Sequence, residues 1–351
     1  MLRVAAFTGG VSVPSARFRV RQYIPALRQL GVDMREYYSL FGCYPPRQRV
    51  LRPLWGLAAV AERTVSACAS FLCDVTLLQR QMLATLVTAE PLTRGPRILD
   101  VDDAIWLHRG GASARRLARL SDIVICGNAY LAENFEQWNP NVRVLATGVD
   151  TDRYRPAAHS GGDGIQRIGW SGESSNFRYL NQILPAIRTI LAERKDTVFR
   201  VVADRRPRLE GIAGDRLEFI RWSPEIEVRA LQEMTVGIMP LEDTSWARGK
   251  CSFKLLTYMA CGLPVVASPV GMNAEVLTAG GGEGPLRWQD WADAILGLLS
   301  NETKARKAGL DGRAAVERLY SVRNLAPKLA EILQSVLSTP REPMSRTLLE
   351  K

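Results

Sequence analysis

The sequence predicts an α/β fold made of two doubly wound domains, and three observations carry this prediction. The chain has 351 residues, of which 46% are hydrophobic, and this is enough for two cores of ordinary size. Short apolar runs typical of buried strands alternate with longer runs typical of helices, which indicates parallel sheets covered by helices. A polar, Gly- and Pro-rich stretch at 147–164 separates two such series and is the predicted linker.

The first series predicts an N-terminal domain of residues 1–150. Its N-terminal run, MLRVAAFTGG, has too short an apolar part for a secretory signal peptide, so we expect it to form the first strand. Ser15 is the predicted N-cap of the first helix. Strands are expected near 2–8, 32–37, 74–79, 97–101, 122–126 and 142–146, and helices near 15–30, 50–70, 112–120 and 128–138.

The second series predicts a domain of residues 165–320, followed by a helix at 321–338 and a tail at 339–351 with little to bury. A helix from Gly249 to Cys261 is expected to end at Gly262, and a buried strand follows at 265–267. The other predicted strands are 166–170, 197–202, 217–220 and 235–239, and the other helices are 176–194, 225–233, 289–299, 302–319 and 322–338.

Composition narrows the classes of function. The net charge is +10, which suits anionic sugar nucleotides or an anionic membrane, but the arginines are scattered and no nucleic-acid-binding motif is present. The sequence contains no run of eighteen uncharged apolar residues, so we predict no membrane-spanning helix. The six cysteines form no C-x-x-C pair, and most lie in apolar surroundings, as reduced buried thiols do, which predicts the cytoplasm.

The stretch SWARGKCSFKLLTYMACGLPVVASPVGMNAEVL, residues 245–277, carries the most specific pattern. It resembles the signature of the retaining family 4 glycosyltransferases (glycosyl transferases group 1). The resemblance implies the GT-B fold, in which two Rossmann-like domains face each other across a cleft and the last helix, 321–338, crosses back to the first domain. It also implies that the C-terminal domain binds a nucleotide-diphosphate sugar and that the N-terminal domain binds the acceptor.

The donor site is predicted from this resemblance and from charge. The family's two glutamates, separated by seven intervening residues, are replaced by Gly249 and Thr257, so we expect cationic side chains to hold the diphosphate. Lys250 and Lys254 are four apart and would share one helical face. Arg17 and Arg19 lie near the N-terminus of the first predicted helix, where the helix dipole disfavours cations. This position indicates an anionic partner. The predicted donor-binding residues are Gly10, Arg17, Arg19, Gly169, Ser171, Gly172, Arg221, Arg248, Lys250, Lys254, Thr257 and Glu275.

The predicted catalytic residues follow the fourth strand, in RILDVDDAIWLH. Asp102 aligns with a histidine that contacts the donor sugar in relatives, and Asp103 and His108 lie close by in sequence. Asp100 and Asp102 also spell D-x-D, the metal motif of the other glycosyltransferase fold. The two-domain pattern and the signature argue against that fold, so we expect neither a metal nor a cofactor.

The predicted function is therefore retaining transfer of a sugar from a nucleotide-diphosphate sugar to a hydroxyl acceptor: a glycan, a lipid-linked acceptor or a small molecule. In this class the leaving phosphate is thought to accept the acceptor proton. Alternatives are a nucleotide-sugar epimerase of the same fold and a non-catalytic nucleotide-sugar-binding protein. Residues 47–73 combine three arginines with an apolar helical pattern, which fits either peripheral membrane contact or a core helix with a polar edge.

Overall fold

The computed structural model describes residues 1–157 and 163–338, which form two compact units. Unit 1 contains Met1–Leu145 together with residues from Ala326 onward, and unit 2 contains Ala146–Leu325. The start of the predicted linker belongs to unit 2: Val149 and Tyr154 are buried, and the Val149 N–H donates to the Tyr320 carbonyl at 2.8 Å. The predicted tail at 339–351 lies outside the described residues.

The described part of unit 1 is a parallel six-stranded sheet in the order β2-β1-β3-β4-β5-β6. The chain order reverses at β1, so the crevice that doubly wound sheets use for ligands lies at the carboxyl ends of β1 and β3. The strands are β1 (Leu2–Thr8), β2 (Val32–Tyr38), β3 (Val75–Gln79), β4 (Arg97–Val101), β5 (Ile123–Cys126) and β6 (Val142–Val144), and the helices are α1 (Ile24–Gln29), α2 (Arg52–Ala67), α3 (Ala112–Leu120) and α4 (Ala129–Glu136).

The described part of unit 2 is a parallel five-stranded sheet in the order β11-β10-β7-β8-β9. Its reversal lies between β7 and β10. The strands are β7 (Gln166–Ser171), β8 (Thr197–Ala203), β9 (Leu217–Arg221), β10 (Val236–Met239) and β11 (Val265–Ala267). The helices are α5 (Phe177–Glu193), α6 (Glu227–Gln232), α7 (Ser245–Arg248), α8 (Phe253–Ala260), α9 (Met272–Gly280), α10 (Trp288–Leu299) and α11 (Glu302–Ala315). The last helix, α12 (Val322–Ser335), begins in unit 2 and belongs to unit 1 from Ala326 onward.

The predicted strands are confirmed, but two predicted helices are not continuous. The helix expected at 15–30 is a π-helical turn at Ala16–Val20 and a 3₁₀ turn at Arg21–Tyr23, followed by α1. For the helix expected from Gly249 to Cys261, the predicted start is wrong. Ser252 adopts a left-handed conformation, with φ +51°, so α8 begins only at Phe253.

Candidate donor site and the unit 1 polar network

Helix α8 crosses the strand-order reversal of unit 2. The Tyr258 hydroxyl accepts a hydrogen bond from the Ser171 N–H, at the end of β7, at 2.7 Å. Its ring packs against Gly237 of β10, where an added Cβ would lie 2.6 Å from the ring. Tyr258 therefore contacts both strands that flank the reversal, and α8 covers the position where such sheets bind ligands.

Lys254 lies one helical turn before Tyr258, at the carboxyl end of β7. Its Nζ is 4.6 Å from the centroid of the Trp170 ring and lies beside Gly172. Within residues 1–157 and 163–338, no hydrogen bond or carboxylate within 4.0 Å satisfies this ammonium. Burial, with a smaller contribution from the Lys250 charge, lowers the pKa of Lys254 to about 7, against the opposing effect of Glu173. The geometry provides a cationic position that an anion would stabilise.

The glycine-containing turn after β7 does not offer free backbone donors, which corrects the prediction for three residues. The Ser171 N–H is bonded to Tyr258, and the Gly172 N–H donates to the Val202 carbonyl at 2.9 Å. Gly169 lies within β7, where an added Cβ would lie 2.0 Å from the Met234 Sδ. The missing side chain of Gly169 makes room for Met234, whereas that of Gly172 makes room for Lys254.

The other predicted cations near α8 have different surroundings. Arg248 forms a bidentate ion pair with Asp243, at 2.6 and 2.8 Å. The Lys250 Nζ lies 5.4 Å from the centroid of the Trp246 ring. Because Lys250 precedes α8, it does not share a helical face with Lys254, contrary to the prediction. Its charge nevertheless lowers the pKa of Lys254, so the two cations act on the same region.

A buried polar contact fixes the start of α8. The Ser252 hydroxyl donates to Asn273 Oδ1 at 2.7 Å, and the Asn273 amide donates to the Ser268 carbonyl at 3.1 Å. This contact ties the left-handed residue before α8 to the β11–α9 turn. Within α8, the Thr257 hydroxyl donates to the Lys254 carbonyl at 2.8 Å and is buried, so it does not point to solvent as a ribose ligand would require.

Arg221 and Glu275 are exposed. Arg221 ends β9, and Glu275 lies in the first turn of α9, where a negative charge is favourable. Burial, and then the Glu275 charge, raises the pKa of Tyr320. In the described ranges neither side chain forms a hydrogen bond or an ion pair, and no contact links either of them to Lys254.

In unit 1 the predicted catalytic carboxylates form an ion-pair network at the ends of β3 and β4. Arg80 Nε donates to Asp102 at 2.5 Å, and another Arg80 nitrogen donates to Asp103 at 2.7 Å. Gln79 donates to Asp102 at 3.2 Å and accepts from the Ser15 hydroxyl at 3.2 Å. Ser15 therefore makes no side-chain cap, contrary to the prediction, and the two aspartates share the charge of one arginine.

Arg19 is buried and structural, which corrects its assignment to the donor. Its guanidinium binds both carboxylate oxygens of Asp100 and donates to the Leu145 carbonyl at 2.8 Å. The two side chains are 2% and 5% exposed, so neither reaches a ligand. Burial raises the pKa of Asp100, against the opposing effect of Arg19.

The remaining predicted residues of unit 1 are dispersed. The Arg17 guanidinium is half-buried and lies 4.6 Å from the Phe18 ring centroid. Gly10 follows β1 with φ +148°, a conformation that favours glycine. His108 is exposed and follows a 3₁₀ turn at Ile105–Leu107.

The D-x-D pair does not form a cation site in this arrangement, because Asp100 binds Arg19 and Asp102 binds Arg80. Across the described ranges, no group of three or more His, Cys, Asp or Glu side chains is arranged to hold a metal ion. Nor does this part of the chain contain a helix long and apolar enough to cross a bilayer.

Sequence reasoning missed Arg80, Gln79, Glu173 and Tyr258. Tyr258 had a readable signal, since it follows Lys254 by four residues and so lies on the same helical face. Arg80 had a weaker one, as a charged residue directly after a buried strand. Its left-handed conformation, with φ +60°, and its two carboxylate partners appear only in the fold.

We expect Gly172→Ala to weaken binding of a nucleoside diphosphate. The new methyl group would lie 2.1 Å from the Lys254 Nζ and 2.7 Å from the Trp170 ring, so both side chains would have to move. Calorimetric titration with UDP and GDP measures the effect, and Gly214→Ala, where an added Cβ meets nothing within 4 Å, is the matched control. Equal affinity in the two variants would remove the Gly172 position from the site.

Comparison with known proteins supports the same fold and finds a family match over part of the chain. Residues 165–301 match the family model described as glycosyl transferases group 1. A sucrose-phosphate synthase from Thermosynechococcus elongatus superimposes with a TM-score of 0.70 at 15% identity, covering 96% of this chain and 100% of that one. No protein of the curated set gives a significant sequence match.

Two further solved structures show the same architecture. HepE from Anabaena, solved in complex with UDP and glucose, has a TM-score of 0.71 at 14% identity, covering 95% of this chain and 100% of that one. WaaG, described as a glycosyltransferase involved in lipopolysaccharide biosynthesis, has a TM-score of 0.67 at 12% identity, with coverage of 94% and 99%. Residues 165–301 therefore resemble the glycosyl transferases group 1, and the chain has the GT-B fold of these solved structures.

Proposed function

We propose that this protein is a retaining glycosyltransferase that moves a sugar from a nucleotide-diphosphate sugar to an acceptor hydroxyl. The observation that carries the proposal is Lys254, a cation in the crevice of unit 2 with no anionic partner among the described residues. A diphosphate would supply that partner. The HepE structure, with UDP and glucose bound, supports a nucleotide sugar as the donor class.

The chemistry needs a stabilised leaving group. As the bond between the anomeric carbon and the donor phosphate breaks, negative charge develops on the diphosphate. Lys254 and Lys250 would balance this charge, and the Trp170 ring beside Lys254 excludes water and strengthens the interaction. The acceptor oxygen then bonds to the anomeric carbon on the same face, and its proton passes to the departing phosphate oxygen. No pair of catalytic carboxylates is required, unlike in glycoside hydrolysis.

We assign acceptor binding to unit 1. The network of Arg80, Asp102 and Asp103 supplies hydrogen-bond acceptors and a cation at the carboxyl ends of β3 and β4, and hydroxyl groups can bind both. Asp102 and Asp103, whose two negative charges Arg80 balances in part, would then position the acceptor. His108, which is exposed, stays a predicted catalytic residue of this unit.

The cysteines support a reducing compartment for this reaction. In the described ranges all six are free thiols, and five of them are buried. Free thiols persist where the environment is reducing, so we place the protein in the cytoplasm. The acceptor class stays open between a glycan, a lipid-linked acceptor and a small molecule.

Incubation with a panel of nucleotide sugars, with and without hydroxyl acceptors, tests the proposal. We expect nucleotide release that depends on the acceptor, and a product whose anomeric configuration by NMR equals that of the donor. Release of nucleotide without an acceptor, or epimerised donor, would favour the epimerase alternative. Absence of nucleotide-sugar binding would contradict the proposed function.

We also expect turnover to survive EDTA. Lysine ammonium groups rather than a metal ion would balance the diphosphate, and Asp100 and Asp102 are each already bound to an arginine. Initial rates with and without the chelator provide the measurement. Activity that disappears with EDTA and returns only with Mn²⁺ or Mg²⁺ would show that a metal performs this task.

A further inference from the structure

Unit 1 carries a concentration of exposed aliphatic side chains around α2, which we call the α2 surface. Its most exposed members are Leu40, Val50, Leu54, Leu57, Val65 and Leu72, each at least 70% exposed. Elsewhere in the described chain, only Met1 and Leu286 among large apolar side chains reach that exposure. A patch of this kind on a folded domain marks an interaction site.

Helix α2 directs its large aliphatic side chains away from the core of unit 1. Its buried positions are Ala59, Arg63 and Ala67. The Arg63 guanidinium is fully buried, donating to the Tyr37 carbonyl at 3.0 Å and to the Thr8 carbonyl. Leu54 and Leu57 point outward instead. A helix that packs only on its own domain places its large apolar residues inward, so this outer face is built to be covered by something else.

The exposed charges beside the α2 surface are positive. Arg47, Arg49 and Arg52 are exposed, and no carboxylate of the described residues pairs with them. Glu62, the acid of this segment, is half-buried and accepts hydrogen bonds from the Ser39 and Ser66 hydroxyls. A second copy of the same surface would bring like charges together, whereas an anionic surface complements all three arginines.

We propose that the α2 surface docks on an anionic lipid bilayer. The aliphatic side chains would enter the boundary between headgroups and acyl chains, and the arginines would lie at the level of the lipid phosphates. A shallow groove of about 660 Å³ between the end of β2 and α2 opens beside the surface, and its lining includes Tyr38, Phe41 and Val65 as well as Glu36 and Glu62. This inference goes beyond the proposed function, because its residues lie in unit 1 and it does not depend on donor chemistry.

Co-sedimentation of the full chain with vesicles tests the proposal. We expect binding to phosphatidylcholine mixed with phosphatidylglycerol, and about tenfold weaker partitioning for the double variant Leu54→Glu/Leu57→Glu. Leu286→Glu/Leu310→Glu, which changes two exposed leucines of unit 2, is the matched control and should bind like the wild type. Replacing Arg47, Arg49 and Arg52 by Gln should remove the preference for the anionic vesicles.

Two results would overturn the proposal. One is equal vesicle binding by the wild type and the Leu54→Glu/Leu57→Glu variant. The other is no vesicle binding together with a wild-type dimer, seen by analytical ultracentrifugation, that the same variant dissociates; a second copy would then cover the surface. UDP titration and circular dichroism of each variant show separately whether folding and the donor site are intact, so failure of the membrane proposal is distinguishable from failure of the proposed function.

Discussion

Arg19→Met is expected to destabilise unit 1 more than any other single change considered for this chain. The substitution leaves the Asp100 carboxylate buried without its cation, and the Leu145 carbonyl loses a donor. Breaking a buried ion pair by removing one partner costs about 3–5 kcal/mol. We therefore expect a clearly lower urea midpoint for unfolding, followed by circular dichroism.

Two control variants separate the buried charge from a general effect. Arg3→Met breaks the Arg3–Asp74 pair at the surface, where the arginine side chain is 57% exposed, and should change the midpoint little. Arg19→Met/Asp100→Asn removes both charges and should recover part of the lost stability. An Arg19→Met protein as stable as the wild type would show that Asp100 accommodates the loss by protonation, which the direction of its pKa shift favours.

The strands could be predicted because their signal is local. Strand β3 is buried at every position and reads VTLLQ, a short run of Val and Leu with the β-branched Thr76. Strand β4 and helix α3 occupy the predicted residues for the same reason: their composition matches their burial over one short window. Parallel sheets buried on both faces give this signal most strongly.

The contacts that decide the site are not local. The helix expected from Gly249 is interrupted because Ser252 bonds to Asn273, 21 residues later. Arg19 looked available to an anion, but its partner Asp100 is 81 residues away. Helical periodicity likewise shows that α2 has two faces without showing which one the fold buries, so the outward position of Leu54 had to come from the structure.

Lys254 could be singled out from the sequence, although its electrostatics could not. The resemblance over 245–277 and the lysine spacing indicated a cationic position. The low pKa arises from burial, chiefly beside Trp170 of another element, and no pattern within α8 reports that. The sequence therefore predicts a cation at Lys254, whereas the packing around its side chain determines its pKa.

Lys254→Met is expected to weaken UDP or GDP binding about ten- to hundredfold, because it removes a charge-assisted contact worth roughly 1.5–3 kcal/mol. Calorimetric titration measures the affinity. Lys307→Met is the matched control, since Lys307 is an exposed lysine of unit 2 that pairs with Asp311 on α11. Unchanged affinity in Lys254→Met would place the diphosphate elsewhere.

The same substitution should stabilise the ligand-free protein, by about 1 kcal/mol. The Lys254 pKa falls from 10.5 to about 7 on folding, so the folded state disfavours the proton that the unfolded chain keeps. This penalty is complete below about pH 7 and shrinks as the pH rises toward 10.5. The gain in unfolding midpoint for Lys254→Met should therefore be larger at pH 6 than at pH 9, and a gain independent of pH would contradict the lowered pKa of Lys254 in the folded protein.

Binding should reverse that preference, because a diphosphate beside Lys254 favours the ammonium form. The complex then takes up a proton when it forms above about pH 7, and UDP affinity falls as the pH rises further. Titrations in buffers of different ionisation enthalpy measure the uptake directly. Proton uptake that persists in Lys254→Met would assign it to another group. Loss of the proton uptake in Lys254→Met, together with the gain in stability of that variant, would show that Lys254 destabilises the ligand-free fold and stabilises the bound diphosphate.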